Sequence, residues 1–120
     1  GSWELEGVDQ PHMQLPGHQD ELVRRAAAAA KGPVIIVLNV GSPKVLSWLP
    51  DVSAVLLVHF GGEEMAAAAV DTLLGEACPS GRLPTTWPRS LEESSAQAAL
   101  RAAADDGVAA PPAGEVRYAE

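Results

Sequence analysis

The sequence predicts an α/β fold, a mostly parallel sheet flanked by helices as in an α/β sandwich. Two apolar runs, PVIIVLNV and VSAVLLVHF, have the continuous β-branched character of strands buried on both faces of a parallel sheet. Two alanine-rich stretches, QDELVRRAAAAAKG and GGEEMAAAAVDTLLG, carry helical start and stop signals. Helix and strand alternate along the chain, the order that builds parallel sheets.

Each element has its own warrant. Residues 3 to 18 hold prolines, glycines and histidines with no sustained period, so they read as loop. Asp20 and Glu21 suit the positive end of a helix starting at Gln19, and Lys31 with Gly32 forms its stop. After the first strand, GSPKVLSWLP reads as a turn and a short helix terminated by Pro50. The second strand leads into a helix with Met65, Ala69 and Leu73 facing inward and Gly75 as its cap. GRLPTTWP is extended and proline-broken, which suits an edge or terminal strand. Residues 89–120 divide into an amphipathic helix anchored by Leu91, Ala98 and Leu100, then a linker-like tail. Residues 1–88 therefore form the folded domain, with Gly1 and Ser2 read as a cloning scar.

Composition narrows the function classes. The chain has 120 residues, enough for one core, with 8 basic against 16 acidic side chains and a net charge of −8. That balance opposes binding to nucleic acid or to an anionic membrane surface, while neutral ligands such as sugars stay open. Cys78 is the sole cysteine, so an internal disulfide and a thiolate metal site are both excluded. His12, His18 and His59 lack the spacing of a zinc site, and no metal is expected. The glycines in NVGSPKV and HFGGEEM fit neither the Rossmann nor the P-loop spacing. They read as tight turns, and no cofactor is expected. Compartment is not legible.

The opening segment WELEGVDQPHMQLPG places Glu4, Glu6 and Asp9 beside Trp3 and ahead of a Pro-Gly turn. Glycosidic cleavage by the retaining route needs two carboxyl groups, one that attacks and one that gives and then recovers a proton. The donor needs a raised pKa, which an apolar neighbour such as Trp3 or a second carboxylate supplies. His12 has the chemistry to donate a hydrogen bond to a sugar hydroxyl. From spacing alone a solvated acidic loop is the favoured reading.

Four segments in order change that reading. ELEGVDQPHMQLPGHQDELV, VIIVLNVGSPKVLSW, VSAVLLVHFGGEE and LLGEACPSGRLPTTWP together resemble the carboxy-terminal α/β domain of family 3 glycoside hydrolases. That family includes the β-glucosidases and β-xylosidases. The pattern runs E-G-x-D-R-x-x-L-x-L-P-G-x-Q, a strand ending L-N-x-G-S-P, F-P-G-Q-E, and N-P-S-G-R-L-P-x-T-x-P, and it covers about residues 3 to 88. The last motif is the most specific.

The resemblance implies a two-part site. An amino-terminal barrel domain carries the aspartate nucleophile, and this domain contributes the acid/base glutamate from a loop leaning over the barrel. By resemblance Glu6 is the preferred acid/base and Glu4 the alternative. Asp9 matches the motif aspartate that orders the loop, and Trp3 and His12 are its substrate-binding or loop-ordering neighbours. The implied partners are a β-glucoside-like carbohydrate and the barrel. The implied function is that of a fragment of a retaining β-glycosidase, inactive in isolation. The alternative is a scaffold or sugar-contacting module that kept the fold and lost the reaction.

Gln10 and Glu63 motivate that alternative. Gln10 stands where the family has arginine, removing an ion pair that could brace the loop, and FGGEE replaces FPGQE at Gly61 and Glu63. The strand that normally precedes the acidic loop is missing, and both ends read as cut, so the sheet is expected to be incomplete at its N-terminal edge. Unpaired amides and carbonyls on an apolar edge invite pairing between chains. Self-association is therefore expected in light scattering at high concentration, and a clean monomer would contradict it.

Overall fold

The computed structural model describes residue 10 and residues 12–94. In chain order these form α1 (Gln19–Ala29), β1 (Ile35–Leu38), a 3-10 turn (Leu49–Asp51), β2 (Ala54–Leu57), α2 (Met65–Leu74) and a second 3-10 turn (Leu91–Glu93). β1 and β2 pair in parallel, Ile35 opposite Ala54 and Leu38 opposite Leu57. A small parallel sheet with two helices places the domain in the α/β class, with the sheet left open.

The register is fixed at both ends of the strands. Ser53 donates its amide to the Val34 carbonyl at 2.8 Å, and its hydroxyl accepts the Val34 N–H at 3.1 Å. At the carboxyl end Val58 N–H reaches the Leu38 carbonyl at 3.0 Å. Side chains partnered in this register share a face, so Ile36, Leu38, Val55 and Leu57 point one way. That face meets Leu15, Val40 and Trp48, with Val23 of α1 packed alongside. The opposite face differs from the expectation of strands buried on both sides. Ile35 is 49% exposed and Val37 45%. α1 and the Trp48 segment cover one face only, so burial alternates through Val34, Ile36, Leu38 and Val40 instead of running continuously.

α1 begins where its acids suggest, with Asp20 and Glu21 in the first turn. It ends two residues before Lys31, through an Ala30 N–H bonded to the Ala26 carbonyl, with Ala30 itself extended. α2 closes as expected: Gly75 takes φ 84°, and its N–H reaches the carbonyls of Asp71 and Thr72. Its inward side is Met65, Ala69 and Thr72, while Leu73 is 44% exposed. No helix among the described residues is long and apolar enough to cross a membrane.

Two expected elements are corrected. Residues 43–46 do not enter a helix, because Val45 spends its N–H on the Met13 carbonyl at 2.7 Å. Pro50 then sits inside the first turn of the 3-10 segment, a position that needs no amide hydrogen, so it starts the turn instead of ending a helix. GRLPTTWP forms no strand. Pro84 and Pro88 cannot donate to a ladder, though Trp87 still packs against the core. Of the helix expected after residue 89, the described residues hold the 3-10 turn at Leu91–Glu93 and an extended Ser94, while Ala98, Leu100 and the tail lie outside the described residues.

The approach to α2 depends on Gly61. A Cβ at this position would lie 2.9 Å from both Cβ and Cγ of Met65, closer than real contacts allow. Proline in the corresponding place would meet the same obstacle here. Gly81 has nothing within 4 Å of such a Cβ. In urea denaturation Gly61→Ala is expected to lose about 1–3 kcal/mol, and Gly81→Ala to stay within about 0.5 kcal/mol of the parent.

Candidate active-site loop

The acidic opening loop enters the described structure at Gln10, and three ties hold its final residues. Leu15 is buried in the core. The Met13 carbonyl accepts the Val45 N–H, and Gln10 Oε1 accepts a hydrogen bond from the Lys44 ammonium. Lys44 also donates to Ser42 Oγ at 2.9 Å and is itself only 3% exposed. Lys44 and Val45 follow the Gly41-Ser42-Pro43 turn by which the chain leaves the carboxyl end of β1. Polar groups gathered beyond the carboxyl ends of parallel strands form the usual ligand position of α/β sheets.

The end of β2 is tied to the same region. His59 adopts φ 46°, an uncommon left-handed conformation outside glycine. Its Nδ1–H donates to the Val40 carbonyl at 3.0 Å, while Nε2 is buried without a hydrogen-bond partner among the described residues. Asn39 donates its side-chain amide to Met65 Sδ at 3.5 Å. The two strand ends are thus bridged to each other and to the start of α2. A separate cleft of about 580 Å³ lies between β2 and α2, with Leu56, Met65, Ala69 and Thr72 among its lining residues. Of the described residues, Gln10 and 12–15 do not line it.

Of the site residues expected from sequence, Trp3, Glu4, Glu6 and Asp9 lie outside the described residues. His12 is half-buried, and its Nδ1 accepts the Gln14 N–H at 3.3 Å, so a neutral ring carries its proton on Nε2. Among the described residues no three His, Cys, Asp or Glu side chains are grouped to hold a metal ion.

Comparison with known proteins gives the family. The glycosyl hydrolase family 3 C-terminal domain matches residues 1–120. The chain belongs to that family. It is 41% identical over all 120 residues to a β-glucosidase of Rhizobium radiobacter, spanning 14% of that protein's length. It is 40% identical over 94 residues, 78% of the chain, to probable β-glucosidase J of Aspergillus fumigatus, covering 11% of it. Thermostable β-glucosidase B of Acetivibrio thermocellus is 37% identical over 92 residues, 77% of the chain and 12% of that protein.

Within this family 3 domain, the loss of arginine at position 10 does not leave the loop unbraced. Gln10 is engaged by Lys44, a residue that sequence reading passed over. A signal was available: Lys44 is the only charged residue between Lys31 and Asp51, and it follows a turn at the end of an apolar strand. Its target could not be read, because the pair is joined only through the path of the chain between β1 and β2.

Proposed function

We propose that this chain is the acid/base-loop domain of a retaining β-glycosidase of the β-glucosidase type, with Glu6 as proton donor and Glu4 as the alternative. The observation that carries this reading is the 41% identity to a β-glucosidase over all 120 residues, acidic loop included. In such a reaction one carboxylate attacks the anomeric carbon while the second protonates the departing oxygen. The second then takes a proton from the water that releases the sugar. This chain supplies the second group only. The attacking carboxylate belongs to a barrel domain outside these residues, in keeping with the small share of each relative that the chain spans.

The hinge of the loop supports the assignment. Gln10 and Met13 are tied to residues that follow β1, so the acids preceding Gln10 hang from a fixed point at the strand ends. Trp3, Asp9 and His12 would shape and order the loop around the donor. The alternative of a scaffold without activity rests on Gln10 and Glu63, and the Lys44 contact to Gln10 weighs against the first of these grounds.

A chimera tests the proposal: the Rhizobium enzyme with its matching 120 residues replaced by this chain. It is expected to hydrolyse an aryl β-glucoside, and Glu6→Gln to lower the rate by on the order of 10²–10⁴-fold. Glu4→Gln should retain most of the rate, and the isolated chain should show no turnover. A Glu6→Gln chimera as fast as its parent would refute the assignment.

A further inference from the structure

We infer that Lys44 is the positioning residue of the acidic loop, its buried ammonium holding the loop through Gln10. The inference rests on the preceding reading of the loop, but its evidence is separate. An ammonium withdrawn from water is costly unless oxygen acceptors replace its hydration. Lys44, 3% exposed, directs hydrogen bonds to Gln10 Oε1 and Ser42 Oγ. One acceptor is on the loop and the other on the scaffold, so a single cation pins one to the other.

The neighbouring backbone makes the pin directional. Val45 donates to Met13, so adjacent scaffold residues 44 and 45 grip the loop at 10 and 13, and Leu15 is sunk in the core just beyond. Gln10 directly follows Asp9 and lies four positions after Glu6. Fixing it therefore fixes the end of the short tether that carries the acids. An uncharged side chain at position 44 would fill the space, but it could not draw the Gln10 oxygen inward. A second cation at position 10 would repel Lys44.

Hydrogen–deuterium exchange across the 120-residue chain tests this. Lys44→Met and Gln10→Lys are each expected to speed exchange in residues 3–14 about tenfold, the scale of one lost charge-assisted hydrogen bond. Exchange in α1 should stay at the parent rate. The exchanged pair Gln10→Lys with Lys44→Gln, which restores an ammonium–amide contact, should recover the parent pattern. Gln10 is half-buried at the loop, so Gln10→Lys keeps the test valid if Lys44→Met fails to fold. Unchanged loop exchange in Gln10→Lys, or uniform loosening of the whole chain without recovery in the exchanged pair, would overturn the inference. Selective loosening alongside a fully active Glu6→Gln chimera would leave the positioning role standing and remove the proton-donor assignment.

Discussion

The structure hangs on the burial of one indole. Trp48 has no exposed surface, and its Nε1–H donates to Asp20 Oδ1 at 2.6 Å. A buried indole needs a partner for its single N–H, and the charged acceptor makes this bond stronger than a neutral one. Because the acceptor is in the first turn of α1, the bond fixes that helix over the chain leaving β1. Arg24 adds a hydrogen bond to Ser47 Oγ at 2.6 Å beside it. Around Trp48 gather Leu15, Leu38 and Val40, which complete the buried hydrophobic core among the described residues. With so small a core, displacing the indole would disconnect helix, sheet and loop together.

That constraint explains how the candidate site is held. The chain between β1 and β2 must pass Trp48 beneath α1, and in doing so it brings Lys44 and Val45 alongside the opening loop. The loop is gripped by residues whose own positions are set by the core. Asp20 thereby serves twice, complementing the amino-terminal end of α1 and receiving the indole proton. The core thereby gives the described end of the opening segment, from Gln10 to Leu15, a fixed base.

Much of this was legible in the sequence, for reasons local to particular residues. The helices at Gln19 and Met65 and the two strands follow from composition and period, and Gly75 announced its left-handed cap. The errors came where a distant partner outweighed local preference. Val45 abandoned a helix for the Met13 carbonyl, and Pro50 opened a turn that it was expected to close. Ile35 and Val37 look like core residues in a β-branched run, yet about half of their surface is exposed, since a continuous apolar run does not reveal whether a second layer covers its other face. The same limit hid the Lys44–Gln10 contact. The expectation for Glu4, Glu6 and Asp9 came only from the family pattern around them, and these residues lie outside the described ones.

The central claim is that the Trp48 core and the base of the acidic loop are one cooperative unit. Amide and indole hydrogen exchange followed by NMR tests it most directly. The Trp48 indole hydrogen and the Val45 amide should exchange together and only through global unfolding. The Trp87 indole, which lacks a partner among the described residues, should exchange sooner. Trp48 exchanging as fast as Trp87, or Val45 opening independently of Trp48, would contradict the account.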